Sequence, residues 1–135
     1  MPATNLDSVN TLTFDIFGTV LDLAGSLIPP LDLLLKNCET PTSLSGKDVW
    51  AQWRLRQRIE QYQDNMLMLG HSGYLAVKRR ALMYTLRSLK VEFSYNQLDE
   101  FMEAYQLLNP FQDAIDGLKR LSTKYKLVML SNGEQ

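Results

Sequence analysis

Only one cysteine, Cys38, and one histidine, His71, occur in the 135 residues. A lone cysteine excludes an internal disulfide and makes a reducing cytoplasm the expected setting. A lone histidine with a lone cysteine leaves no cluster of the kind that ligates zinc. His71, between Gly70 and Gly73, reads as a surface turn residue, and Cys38 as a small buried hydrophobe. No charge of one sign prevails: 14 Lys and Arg face 15 Asp and Glu. That balance gives no reason to expect nucleic acid or an anionic membrane surface as partner. No stretch approaches the roughly 18 to 20 apolar residues that cross a bilayer. Residues 1–10 lack the basic start and apolar run of a signal peptide. The length predicts one domain with at most a small insertion.

Against these absences stands Thr11-Leu12-Thr13-Phe14-Asp15-Ile16-Phe17-Gly18-Thr19-Val20. It begins as a short strand rich in β-branched and aromatic residues, predicted over about 11–17. Asp15 stands where such a strand would end, and Gly18-Thr19 turn the chain. Open α/β sheets bind ligands outside the carboxyl ends of their strands, and turn N–H groups can hold an anion there.

The remaining pattern is helical. Asp22 to Pro29 reads as a connection, with a short helix from about Pro30 to Lys36 carrying Leu31, Leu33, Leu34 and Leu35. Residues 37–45 read as loop. Ser45-Gly46-Lys47-Asp48 has the spacing of a capping box and opens a helix predicted over about 46–63, with Val49, Trp50, Trp53 and Ile59 as its apolar positions. A helix is predicted over about 74–90 on Leu75, Leu82, Leu86 and Leu89; within it, Lys78-Arg79-Arg80 reads as a solvated face. Ser94 to Gln97 forms a second capping box before Leu98, Phe101, Met102, Tyr105 and Leu108. Asn109-Pro110 ends that helix. Another is predicted over about 111–123, and Lys126 to Leu130 reads as a buried parallel strand.

Strand, helices, strand: this order predicts an α/β fold, a Rossmann-like parallel core interrupted by a helical insertion. Residues 1–23 and 106–135 would form the core and 24–105 the insertion. Two strands cannot complete a doubly wound sheet, so the chain is expected to be incomplete in its core.

Asp15-x-x-Gly18-Thr19-Val20 after a strand resembles the first motif of the haloacid dehalogenase superfamily. Leu127-Val128-Met129-Leu130-Ser131-Asn132-Gly133 resembles its second, in the Ser-Asn-Gly form of the type II (S)-2-haloacid dehalogenases. Phosphatase members carry an acid two residues after the nucleophile; Phe17 stands here, where the dehalogenase branch has an aromatic, most often Tyr. Trp53-Arg54-Leu55-Arg56-Gln57 resembles the Trp-Arg-x-x-Gln segment of the dehalogenase cap. The resemblance spans essentially the whole chain. The family's third motif, a lysine, and its fourth, acidic, have no counterpart, so the chain is expected to be a fragment.

The resemblance implies a cytoplasmic hydrolase that turns a short 2-haloalkanoic acid into a 2-hydroxy acid through an aspartyl ester. Asp15 would be the nucleophile. Carboxylates of ordinary aspartates are ionised at neutral pH, so the first step needs no general base. Arg54 would receive the departing halide, since a fixed guanidinium stabilises charge developing on a leaving group. Ser131 and Asn132 would hold the substrate carboxylate, and Phe17 would line an apolar pocket. No metal or other cofactor is implied, because the acid that helps hold magnesium in phosphatase relatives is Phe17 here. The partner would be the small-molecule 2-haloacid, and a homodimer through the inserted helices is within the resemblance.

Each residue has an ordinary alternative: Asp15 as a turn-former, Arg54 as a solvated helix arginine, Ser131-Asn132 as a strand-to-loop turn, Phe17 as plain core. Two other functions stay open. One is a magnesium-dependent phosphohydrolase without its usual acid; the other is a catalytically incomplete chain acting as an interaction module.

Overall fold

The structure, a computed structural model, describes residues 8–38, 43–67, 70 and 72–131. The chain divides into two compact units, one built on 1–23 with 109–132 and the other on 24–108.

The first unit contains two parallel strands, β1 (Thr11–Phe14) and β2 (Lys126–Met129), paired from Thr11↔Lys126 to Phe14↔Met129. Helix α5 (Ala114–Ser122) lies just before β2 and packs on it. Asp116 in its first turn and Lys119 and Arg120 in its last turn match the helix dipole. β1 stops three residues earlier than the pattern predicts. After Phe14 the backbone bends so that Ile16 O accepts from the N–H groups of Thr19, Val20 and Leu21 (3.3, 3.0 and 2.9 Å). Phe17 is thereby drawn into a local bridge with Leu21 and out of the ladder. Gly18, at φ +88°, takes the left-handed position this turn requires.

Phe111 belongs to the same turn region. Its N–H donates to Val20 O (2.9 Å), while Asp22 N–H donates to Asn109 O (2.8 Å). That pairing delays the start of α5 to Ala114, three residues later than its apolar pattern predicts. The apolar run of β2 does not achieve the burial its composition predicts. Leu127 is half-buried, whereas Met129 and Leu130 are 67% and 68% exposed. Two strands with one helix offer too little surface to cover it.

The second unit is helical: α1 (Leu23–Lys36), α2 (Gly46–Met66), α3 (Tyr74–Ser88) and α4 (Tyr95–Ala104). α1 starts seven residues before the predicted Pro30 and runs through both Pro29 and Pro30. Leu27, Leu31, Leu34 and Leu35 are buried at helical spacing. Their burial offsets the roughly 3 kcal/mol that an interior proline costs. Leu33, on the same helix, is exposed. At the start of α2, Gly46 N–H donates to Asp32 Oδ1 (2.6 Å), and a Cβ on Gly46 would stand 2.6 Å from Ile28 O. Glycine is what allows that close approach.

The buried stripe of α2 is Val49, Trp53, Gln57 and Glu60, not the predicted set that included Ile59, which is exposed. On α3 the buried residues are Val77, Lys78, Ala81, Leu82, Thr85 and Leu86, so the predicted Leu75 lies on the rim. Trp53 is the centre of the unit. It is fully buried and edge-on to Trp50, Phe101 and Tyr105, with ring centroids 5.6, 5.3 and 5.9 Å away. Lys90, at φ 57°, closes α3 before the predicted end, and buried Val91 donates to Leu86 O (2.9 Å). α4 stops at Ala104, short of Leu108, in shorter-range bonds from Gln106 to Glu103 O and from Leu107 to Ala104 O.

Candidate active site

Asp15 is the first residue past the last paired position of β1, and it is exposed. On β2, Leu130 N–H donates to Phe14 O (2.8 Å), carrying the pairing one step further. Ser131 follows at once and is also exposed. The register sets Asp15 opposite Leu130 and Ser131 one position further, so both leave the carboxyl edge of the strand pair. Asn132 lies outside the described residues, as does His71.

The turn after Asp15 also returns a hydroxyl to it. Thr19 Oγ1 donates to Asp15 Oδ2 at 3.0 Å. Among the described residues nothing bonds to Oδ1, so one oxygen is held and the other is available. The motif reading treated Thr19 as a turn residue only. The signal for its further role was its place four residues after the acid, across a glycine of positive φ. Phe17 is half-buried in the same turn, where its backbone bridges Leu21.

Arg54 belongs to the helical unit. Its Nη1 donates to Gln57 Oε1 (2.9 Å), and its guanidinium lies 5.5 Å from the centre of the Trp50 ring. Its neighbour Arg56 is neutralised by Glu60, with Nε donating to Oε1 at 2.8 Å, and lies over the Tyr84 ring. Among the described residues, no carboxylate pairs with Arg54. Arg56 thus has a carboxylate partner and Arg54 does not.

Lys78-Arg79-Arg80 is not a solvated face. Arg79 is paired with Asp99 and Arg80 with Glu60. Lys78 is 3% exposed. Its Nζ donates to Gln57 Oε1 (2.9 Å) and lies 4.5 Å from the Tyr74 ring centre. Its backbone oxygen accepts from Trp53 Nε1 (2.9 Å). Burial, and then the positive charge of Arg54, push its ammonium down to about 8. Tyr105, buried and bonded through its hydroxyl to Tyr74 (3.2 Å), has its phenol pushed up. Gln57 is 1% exposed, and among the described residues its Nε2 has no partner. Sequence reasoning missed Gln57 and Lys78 as functional candidates. Their signal was polar identity in phase with a buried stripe: Gln57 follows Val49 and Trp53 at steps of four.

No protein-family model matches the chain. It is 30% identical over 129 residues to (S)-2-haloacid dehalogenase 4A of Burkholderia cepacia, covering 95% of this chain and 52% of that protein. It resembles the solved L-2-haloacid dehalogenase of Xanthobacter autotrophicus, with a TM-score of 0.74 and 28% identity over 93% of this chain and 47% of that one. The same enzyme with chloropropionic acid covalently bound matches with a TM-score of 0.67 and 27% identity, again over 93% and 47%. The chain spans about half the length of the curated relatives it matches. The likeness covers nearly all of this chain, so its mixed α/β fold, five helices and two parallel strands, is shared with those dehalogenases. It also agrees with the family that the Asp15 and Ser131 motifs resemble.

Proposed function

We propose that this haloacid dehalogenase-like chain serves the hydrolytic dehalogenation of short (S)-2-haloalkanoic acids. The observation that carries this reading is the carboxylate of Asp15, exposed at the same strand edge as Ser131 and held through one oxygen by Thr19. The free oxygen, Oδ1, attacks C2 of the haloacid from the side opposite the halogen. The C–O bond forms as the carbon–halogen bond breaks, and the halide leaves with the bonding pair. Water then adds to the acyl carbon of the aspartyl ester and releases the 2-hydroxy acid, a proton and the Asp15 carboxylate. C2 is inverted once. Ser131 and Asn132 receive the substrate carboxylate, Phe17 supplies apolar wall, and Arg54 receives the halide. The helical unit, 24–105, is read as the cap of the core.

A cytoplasmic location and a homodimer belong to the same reading. Leu55, Ile59, Tyr62 and Met66 leave an apolar stripe exposed along α2, suited to self-association. Among the described residues no helix is long and apolar enough to cross a membrane. Sedimentation of the chain over a concentration series tests the dimer.

The function is tested by incubating the chain with (S)-2-chloropropionate and following chloride release and intact protein mass. The expected result is chloride release with transient gain of one propionate ester on Asp15, and neither in Asp15→Asn. Chloride release at the wild-type rate from Asp15→Asn would overturn it.

A further inference from the structure

Two cations in the helical unit converge on one neutral oxygen. Arg54 Nη1 and Lys78 Nζ both donate to Gln57 Oε1, each at 2.9 Å. A buried ammonium is ordinarily paired with a carboxylate, because desolvating a charge without an opposite charge is costly. Among the described residues Lys78 has no such partner: besides Gln57 it meets the Tyr74 ring. The buried acid of α2, Glu60, is engaged by Arg56 and Arg80 (2.8 and 3.1 Å), and Asp99 by Arg79 (2.7 Å). The amide of Gln57 is fixed by this arrangement, since turning it over would aim its own donors at two cations. Among the described residues its Nε2 therefore remains buried without an acceptor. The cluster lacks one thing twice over, a negative charge and a hydrogen-bond acceptor.

We propose that Arg54, Gln57 and Lys78 form a binding site for a small monovalent anion, in which Lys78 is a second cation beside Arg54. The site deepens the function proposed above and rests on it for the origin of the anion, a departing halide or a substrate carboxylate. An anion beside Arg54 balances both cations and accepts from the Gln57 amide. It also relieves the cost of keeping the Lys78 ammonium charged while buried, a cost visible in the downward displacement of its titration. Trp53 fixes the α3 backbone at Lys78 through its indole N–H, so the ammonium is held where the anion is received. Lys78 is thus a residue that destabilises the empty chain and stabilises the loaded one.

Both properties can be read without any turnover. Thermal melting and tryptophan emission of the whole chain are followed as sodium gluconate is exchanged for sodium bromide at constant ionic strength. Trp50 and Trp53 lie beside the cluster and report on it. The expected result is a saturable change in emission and a rise in Tm with bromide. Lys78→Met should melt higher than wild type in gluconate and bind bromide about tenfold or more weakly. Lys78→Gln replaces it if the methionine variant does not fold. Acetate in place of bromide identifies the anion: a response to either supports the site, and a response to neither overturns it. Bromide affinity unchanged in both Lys78 variants also overturns it. A chain that binds bromide but releases no chloride from 2-chloropropionate keeps the site and loses the dehalogenase reading. One that releases chloride but ignores bromide and acetate loses the site alone.

Discussion

The strand edge and the helical cluster handle charge in opposite ways. At the strand edge a single carboxylate stands in solvent, oriented by one hydroxyl four residues away. In the helical unit two cations from different helices are gathered on one amide oxygen, and one of them is almost wholly buried. The first arrangement is made by local backbone geometry and costs little. The second is made by tertiary packing and opposes folding, because an ammonium loses its hydration there. Chemistry that needs one attacking atom can be built from a decapeptide. Chemistry that must receive a charge needs a drier place, and more of the chain to make it.

Removing the attacking atom should have the largest effect. Asp15→Asn keeps the shape of the turn and an acceptor for Thr19, but supplies no nucleophilic carboxylate. Chloride release from (S)-2-chloropropionate should fall on the order of 10⁴-fold or more, with the melting temperature nearly unchanged because the side chain is exposed. A large loss of stability instead would make Asp15 a structural turn residue and erase the contrast with the buried cluster.

The reverse pattern is expected at Trp53. Its ring is the fully buried centre of the helical unit, touching Trp50, Phe101 and Tyr105 and donating to Lys78 O. Trp53→Ala should cost about 3–5 kcal/mol in chemical denaturation followed by far-UV circular dichroism. The same variant should also weaken bromide binding, since it frees the α3 backbone at Lys78.

Lys78 gives the contrast a pH signature. Its folded-state titration lies near 8, against 10.5 for the ordinary side chain. Below about pH 8 the ammonium is charged in both states, and folding bears the full cost of burying it. Between 8 and 10.5 the folded chain releases its proton first, so the unfolded chain binds more protons and stability rises with pH. Relative to Lys78→Met, the wild type should gain about 3 kcal/mol across that window, as an order of magnitude. Urea titrations of both proteins at pH 7, 9 and 10.5 measure it. A constant difference would mean that the ammonium is effectively hydrated.

How far each region was legible follows from the same distinction. Asp15, Gly18, Thr19 and Ser131 are close neighbours in sequence or end adjacent apolar runs, so both strands and their shared edge could be read directly. The capping boxes at Ser45 and Ser94 were legible for the same reason. The passage of α1 through Pro29-Pro30 was not, because Leu27, Leu31 and Leu34 carry the helix past a local breaker by tertiary burial. Lys78 was assigned to solvent by its two basic neighbours. Its true environment depends on Gln57, 21 residues away on another helix. Gln57 entered the sequence reading only as the end of the Trp-Arg-x-x-Gln resemblance, and that it shares a buried face with Trp53 and Glu60 is set by packing.

The smallest expected effects separate the two capping boxes. At Ser94, Oγ accepts from Gln97 N–H (3.2 Å) and Gln97 Oε1 accepts from Ser94 N–H (2.7 Å). Neither side chain titrates, so Ser94→Ala should cost about 1 kcal/mol at any pH where the chain is folded. At Ser45 the acceptor is a carboxylate: Asp48 Oδ2 takes bonds from Ser45 N–H (2.8 Å) and Ser45 Oγ (2.6 Å), which hold the Asp48 carboxyl below its ordinary value. A depressed folded-state carboxyl contributes stability above its unfolded value and loses that contribution as pH falls through the folded one. The cost of Ser45→Ala should therefore shrink in acid while that of Ser94→Ala persists. Parallel melts of the two variants from pH 7 down to 3 provide the comparison. If the two costs fall together, acid is loosening the helical unit as a whole, and the Ser45–Asp48 pair has no separate part in it.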